Sequence, residues 1–288
     1  MQIIDGQQIA NGILARLKEK PAPKKFFAGI LIGDDPASAS FQAIKEKTAR
    51  NLGVDYRIYK LDAAMGTDKL RAEVGRIALQ KSCGGAIVQL PLPEGVNRHA
   101  LLNAIPQEKD ADVLGERALG AFYTGRNPVI APAVGAVEEI LRAMKIEVKE
   151  KKFAVIGSGI LIGKPVLNWL MGKAKEIFLL GRASDLALLK HADIVILGTG
   201  HAGLVTPDML QDGAGVIDFG YGTKEMRNEK GEMRKETCGD FDPSSLSNSH
   251  HSPFTIHHSP AFYTPTPGGT GPILVTKLFE NFYALNSQ

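Results

Sequence analysis

Phe41 and Lys45 stand four residues apart in Ser38-Ala39-Ser40-Phe41-Gln42-Ala43-Ile44-Lys45, which puts an aromatic ring and an amine on one helical face while Lys47 points elsewhere. An ordinary helix face carries such pairs too. What a lysine adds in a cleft is proton transfer, because removing water from around its ammonium brings the amine into a partly neutral form. Gln89 ends the apolar run Gly84-Gly85-Ala86-Ile87-Val88 and is followed by Leu90-Pro91-Leu92-Pro93. A polar amide in that place fits a strand end that faces a cleft.

A second constellation suits a dinucleotide. After the apolar run Phe153–Ile156 comes Gly157-Ser158-Gly159-Ile160-Leu161-Ile162-Gly163-Lys164-Pro165, a strand-to-helix turn. Gly157 and Gly159 leave backbone amides and a helix N-terminus free to face a pyrophosphate, and Pro165 suits the first turn of the helix. Gly163 comes one residue later than in the commoner Gly-x-Gly-x-x-Gly spacing, so the loop alone also fits a plain tight turn. The next apolar run ends Leu180-Gly181-Arg182-Ala183-Ser184. An acidic residue there would bind a ribose hydroxyl, whereas the planar donor fork of Arg182, aided by the Ser184 hydroxyl, suits a 2′-phosphate. This favours NADP over NAD, the alternative being that Arg182 caps a strand at the surface.

Strands and helices must hold these residues in place. Ile9–Lys20, Ala37–Leu52 and Asp68–Lys81 read as helices, and Phe26–Ile32, Val54–Leu61 and Gly85–Leu90 as strands. That βαβαβ-like order predicts a mostly parallel sheet. Gly, Pro and Asn gather between Tyr123 and Ala133, where the domain junction is placed, and a helix follows over Val137–Met144. A second series sets strands at Phe153–Ile156, Ile177–Leu180, Ile194–Leu197 and Gly215–Phe219 against helices at Pro165–Met171, Asp185–Leu189 and Pro207–Gln211. This is the spacing of a doubly wound sheet, with Trp169 read as core. Leu274–Leu285 reads as a last amphipathic helix, expected to pack on the first domain.

Composition excludes other classes. With 288 residues, 44% hydrophobic and 23% charged, the chain has room for one large domain or two medium ones. Its 34 basic and 31 acidic residues give a net charge of +3 without a long single-sign block, so neither a nucleic acid nor a membrane is indicated as partner. Cys83 and Cys238 lie far apart, which argues against a disulfide framework or a thiolate metal site. The pairs His250-His251 and His257-His258 match no metal-ligand spacing and read as an exposed connector, so no metal is expected. No leader-like start and no run near the roughly 20 apolar residues of a membrane span is seen, and the protein is expected to be cytoplasmic.

Seven stretches occur together: Ile4-Asp5-Gly6, Gly33-Asp34-Asp35-Pro36-Ala37-Ser38, Val88-Gln89-Leu90-Pro91-Leu92-Pro93, Lys109-Asp110-Ala111-Asp112, the glycine loop, Ala192-Asp193-Ile194-Val195 and Thr264-Pro265-Thr266-Pro267-Gly268-Gly269-Thr270-Gly271-Pro272. In that order, over nearly the whole chain, they resemble the bifunctional methylenetetrahydrofolate dehydrogenase and methenyltetrahydrofolate cyclohydrolase family, FolD in bacteria. The resemblance implies two α/β domains with a folate cleft between them, and a homodimer. One, over 1–122 plus 266–288, binds the substrate; the other, over 123–265, is a Rossmann-like NAD(P)-binding domain with a doubly wound parallel sheet. The implied activity is NADP-dependent oxidation of 5,10-methylenetetrahydrofolate to the methenyl form and hydrolysis of that product to 10-formyltetrahydrofolate, in one-carbon metabolism. Lys45 falls on the family's catalytic lysine, Gln89 on the glutamine that holds it, and Asp112 on the carboxylate that binds the pterin. The same motifs put Ser38, Phe41, Pro267, Gly268 and Gly271 at the substrate. They put Gly157, Ser158, Gly159, Ile160, Gly163, Arg182, Ser184, Gly200 and Tyr221 at the cofactor, with Tyr221 standing where a smaller apolar side chain is usual.

The chain also departs from the family pattern. Phe41 replaces a tyrosine, Val113 stands where Asp-Gly is the family's reading, and Ala131-Pro132-Ala133-Val134 replaces Pro-Cys-Thr-Pro. Ser158-Gly159 replaces Arg-Ser, and Pro272-Ile273-Leu274 lacks the usual threonine. Without a hydroxyl, Phe41 cannot hydrogen-bond the Lys45 amine, so the expectation is an intact dehydrogenase with a weakened cyclohydrolase. The alternatives are a dehydrogenase with no cyclohydrolase, a catalytically silent folate- and nucleotide-binding homologue, and a different nicotinamide enzyme such as a small-carbonyl reductase. The last gives no reason for Gln89, Asp112 and Thr264–Pro272 to occur together.

Overall fold

Short apolar runs and 3.6-periodic segments alternate along the chain, and the computed structural model, which describes residues 1–227, 233–247 and 259–287, turns them into parallel strands and helices. The order begins β1 (Gln2–Ile3), α1 (Gly6–Lys18), β2 (Phe26–Ile32), α2 (Pro36–Leu52), β3 (Tyr56–Leu61), α3 (Gly66–Ala78), β4 (Cys83–Val88), α4 (Arg98–Leu102), α5 (Glu116–Tyr123) and α6 (Pro132–Ala143). It continues β5 (Lys152–Ile156), α7 (Gly163–Leu170), β6 (Glu176–Leu180), β7 (Ile194–Leu197), β8 (Gly215–Asp218), β9 (Gly222–Arg227), β10 (Met233–Cys238), α8 (Ser244–Ser247), β11 (Phe262–Tyr263) and α9 (Thr270–Leu285). The chain divides into two units, Ala10–Gly135 with Leu274–Gln288, and Met1–Ile9 with Ala136–Ile273.

In the first of these units β2 lies between β3 and β4, all parallel. Every residue of β2 is buried, as a central parallel strand covered on both faces requires. α2 is set by its ends: Pro36 opens it, the Asp35 side chain accepts from Ser38 N at 2.7 Å, and Gly53 closes it in the left-handed region at φ 68°. Its buried face, Ser38, Gln42, Lys45, Ala49 and Leu52, follows the helical period but is polar in its first half. From α9, Phe282 stacks on Phe27 with ring centroids 4.6 Å apart, and Phe279 meets the same ring edge-on at 5.5 Å.

In the other unit the strand order is β1-β11-β8-β7-β5-β6, with all neighbours parallel. Ala154, Ile156, Val195, Leu197 and Val216 fill its core. Two segments read as helices, Asp185–Leu189 and Pro207–Gln211, are instead 3-10 turns at Leu186–His191 and Pro207–Met209. Asp185 is the physical reason in the first: its carboxylate accepts from Ala187 N only two residues on, which tightens the turn. The hairpin of β9 and β10 escaped the sequence reading because Gly222–Arg227 and Met233–Cys238 contain no apolar run. His250, His251, His257 and His258 lie outside the described residues. Among the described residues no helix is long and apolar enough to cross a membrane, and no group of three or more His, Cys, Asp or Glu side chains could hold a metal ion.

Phe282 is fully buried against Phe27. Phe282→Ala should therefore lower the unfolding free energy by about 3–5 kcal/mol, read from urea denaturation curves. A loss under 1 kcal/mol would mean that this ring stack does not hold the unit together.

Candidate active site

The polar half of the α2 face meets the end of β4. Lys45, only 8% exposed, points its amine at Gln89 and donates to Oε1 at 2.5 Å. Gln89 is placed by its backbone, whose N–H continues the ladder to Ile30 O at 2.8 Å, and its side-chain amide donates to Leu90 O at 2.6 Å. With the Nε2 end fixed there, only the oxygen end is left for Lys45. Phe41 lies half-buried one turn before Lys45. The strand ends of an open parallel sheet are where ligands bind, and β2 and β4 both end here.

Burial removes water from the Lys45 ammonium and brings its pKa down to about 8, while the Asp112 carboxylate opposes the shift. Asp112 is pushed up to about 7, first by burial and then by Asp110, with Lys45 opposing. An amine and a carboxyl shifted toward neutral pH, beside an amide that orients the amine, are the kind of groups that general acid–base chemistry uses.

Asp110, the other acid of this loop, was given no role by the sequence and is structural. Its carboxylate accepts from Asp112 N at 3.2 Å, Leu114 N at 3.0 Å and Gly115 N at 2.8 Å, so it folds the loop that presents Asp112. Val113 is fully buried with φ 57°, a conformation that a β-branched residue rarely takes. Lys109 is likewise structural, donating to Ala78 O at 2.7 Å and Gln80 O at 3.0 Å. Gln42 and Tyr56 were also missed: Gln42 is 1% exposed, and its Oε1 accepts from the Tyr56 hydroxyl at 2.5 Å. The place of Gln42 three residues before Lys45, on the same helical face, was the one hint in the sequence, and an amide there is ordinary by itself.

Ser38, Phe41, Lys45, Gln89 and Asp112 belong to one unit, whereas Pro267, Gly268 and Gly271 belong to the other, with Gly268 at φ 99°. That second unit also holds the glycine loop. Gly157 takes φ 95°, and a Cβ there would lie 2.9 Å from Gly198 O. A Cβ at Gly163 would overlap the Gly157 carbonyl, so the turn closes only with hydrogen at that position. Ser158 and Gly159 are exposed, Ile160 is half-buried, and space around Gly159 is open. This arrangement fits a dinucleotide pyrophosphate at the start of α7. After β6, Gly181 N donates to Ser184 Oγ at 2.9 Å and Ser184 N to Gly181 O at 3.0 Å, a closed turn whose exposed tip is Arg182. Gly200 N donates to Asp240 Oδ2 at 3.3 Å, and Tyr221 is 54% exposed.

Known proteins share this sequence and fold. The tetrahydrofolate dehydrogenase/cyclohydrolase catalytic domain matches residues 4–112, and the NAD(P)-binding domain of the same name matches residues 131–288. A bifunctional protein FolD of Streptococcus pneumoniae is 32% identical over 292 residues, covering 98% of this chain and 96% of that protein. One from Clostridium perfringens is 28% identical over 288 residues, covering 97% of each. Among solved structures, the Trypanosoma brucei methylenetetrahydrofolate dehydrogenase-cyclohydrolase complexed with NADP and an inhibitor superposes with a TM-score of 0.86 at 27% identity, covering 99% of this chain and 97% of that one.

Because Asp112 raises the Lys45 pKa, Asp112→Asn should move it below about 8. A titration followed by NMR of the lysine side-chain amine checks this, and an unchanged or higher value would separate the two groups.

Proposed function

The chain belongs to the tetrahydrofolate dehydrogenase/cyclohydrolase family, and from that premise we propose that it oxidises 5,10-methylenetetrahydrofolate to the methenyl form with NADP and hydrolyses that product to 10-formyltetrahydrofolate. The observation that carries this reading is the buried Lys45 amine, held by Gln89 at 2.5 Å and poised near neutrality beside Asp112. The unit Ala10–Gly135 with Leu274–Gln288 supplies the proton chemistry, and the unit containing the glycine loop supplies the dinucleotide site. The same reading takes the protein as a cytoplasmic homodimer, supported by the family resemblance and checked by sedimentation.

When bound, NADP accepts the hydride, which leaves the methylene carbon with its electron pair. The chain's part in that step is positioning. Ionised Asp112 accepts from the donor-rich edge of the pterin, and Ser38 and Phe41 of the same unit shape the substrate surface beside it. Gly157, Ser158, Gly159, Ile160, Gly163 and Gly200 bring backbone close to the dinucleotide, while Arg182 and Ser184 take the 2′-phosphate and Tyr221 lies against the cofactor.

Hydrolysis makes a further demand. Water attacks the methenyl carbon and its first proton passes to the neutral Lys45 amine; the ammonium returns that proton to the ring nitrogen as the C–N bond opens, and the second proton, on the carbinol oxygen, leaves to solvent as the formyl C=O forms. A cationic substrate beside Lys45 favours the neutral amine that this step needs.

Lys45→Gln should nearly abolish the decay of methenyltetrahydrofolate while leaving hydride transfer in place, measured against the uncatalysed rate; full hydrolysis by this variant would sink the assignment. Arg182→Ala should lower kcat/KM with NADP tenfold or more, on the order of 1.5–3 kcal/mol for a charge-assisted contact, and change NAD use little. An unchanged preference between the two cofactors would remove Arg182 from the site.

A further inference from the structure

β2 carries one glycine among its apolar residues, Gly29, and that position has a specific neighbour. A Cβ at Gly29 would overlap both the Tyr56 hydroxyl and Gln42 Oε1. The gap left by glycine is where these two groups meet. Tyr56, from β3, donates to Gln42 Oε1 at 2.5 Å, and Gln42 Nε2 lies 3.5 Å from Gln89 Oε1, the oxygen that holds Lys45. The ring of Tyr56 is locked edge-on against Phe27 at 5.4 Å and also touches Phe279.

The chain of donors has one direction. A neutral phenol donates to the oxygen end of the Gln42 amide, which leaves the nitrogen end facing Gln89. Gln89 turns its own nitrogen to Leu90 O, so its oxygen receives both Gln42 and Lys45. Burial pushes the Tyr56 hydroxyl far above its ordinary range, so it stays protonated and remains a donor. The 3.5 Å contact is the weak link, and Gln42 acts there by orienting the amide more than by binding it.

We propose that Tyr56 and Gln42 are positioning residues for Lys45, a hydroxyl and an amide seated in the Gly29 gap that fix the Gln89 oxygen and so tune the amine that moves the proton. The proposal rests on the hydrolytic reading of Lys45. Phe41 has no hydroxyl to offer from α2, and Tyr56 brings one into the same network from β3. The charged groups that face this network are Asp112, which acts on Lys45 and Tyr56, Asp110, which acts on Asp112, and Glu46, which acts on Tyr56.

The test compares Tyr56→Phe, Gln42→Met and Lys45→Gln with the wild-type protein, following methenyltetrahydrofolate decay across pH and hydride transfer from methylenetetrahydrofolate to NADP. Tyr56→Phe keeps the ring and Gln42→Met keeps the length of the side chain. Each should slow hydrolysis at least fivefold and move its Lys45-dependent limb to lower pH, because a less well fixed acceptor stabilises the ammonium less. Hydride transfer should stay within twofold. Equal losses in both reactions, or an unchanged rate and pH profile in a background where Lys45→Gln is inactive, would overturn the positioning role alone. Hydrolysis retained in Lys45→Gln would overturn the reading of the site and this inference with it.

Discussion

A buried ammonium governs the smaller sheet and its surroundings. Lys45 sits on a helix face where the period of α2 calls for an apolar side chain, and an unpaired charge there would cost several kcal/mol. The fold meets that cost by lowering the pKa, by giving the amine one well-placed acceptor in Gln89 and by setting the Asp112 carboxyl within electrostatic reach. Each partner then needs its own support. Gln89 is tied to Ile30 and Leu90, Asp112 is presented by a loop folded around Asp110, and Gln42 takes its donor from Tyr56. The aromatic packing of Phe27, Phe279 and Phe282 supplies apolar burial next to this polar seam.

The same device recurs in the other unit: a buried carboxylate stands in for a sheet or helix where loop backbone needs acceptors. Asp240 Oδ2 accepts from Thr199 N at 2.7 Å, the Thr199 hydroxyl at 2.9 Å and Gly200 N at 3.3 Å, which fixes the loop after β7. Asp218 accepts from Gly220 N at 2.7 Å and Phe241 N at 2.9 Å, and burial pushes it up to about 7. The Thr270 hydroxyl donates to Asp218 O at 2.8 Å, so this acid and the first turn of α9 are joined. With Asp110, these residues show why acids in a glycine-rich loop are not all ligands. Most of the oxygen valence of Asp110 and Asp218 is spent on backbone N–H groups, as loop amides removed from water require.

Elements with a strong period were legible in the sequence, and elements held by single side chains were not. β2 and β7 carry apolar runs that end where the strands end. The α2 pattern begins one residue late in the reading because Pro36 carries no periodic signal, although it opens the helix. The polar hairpin of β9 and β10 carries no apolar run, and the 3-10 turn at Leu186–His191 differs from a helix through the local bond of Asp185 to Ala187 N. At the site, Gln89 was legible as an amide ending an apolar strand, whereas a lysine on a helix face is ordinary, and the pairing of the two came from the family resemblance. Gln42, Tyr56 and Gly29 were not legible, because each is ordinary alone. Their meaning lies in a contact among three elements, and only coordinates bring it into view.

Hydride transfer and hydrolysis make unequal demands on such a site, and this bears on what the departures in the sequence can do. Moving a hydride depends on the distance and orientation of two carbons and calls for no proton relay, so hydroxyls nearby matter little to it. Moving a proton depends on the free-energy difference between two states of one amine, where 1.4 kcal/mol is a tenfold change in their ratio. A hydroxyl lost from α2 therefore bears on the second reaction far more than on the first. Tyr56 enters one step further out, donating to Gln42 Oε1, and Gln42 in turn faces the Gln89 oxygen that accepts from Lys45. Gly29 makes such an entry sterically possible from β3, and the packing of Tyr56 against Phe27 keeps the donor from wandering. The acceptor of Lys45 is thus in contact with Gln42, and through it with Tyr56, so an inspection confined to Lys45, Gln89 and Asp112 misses half of the network.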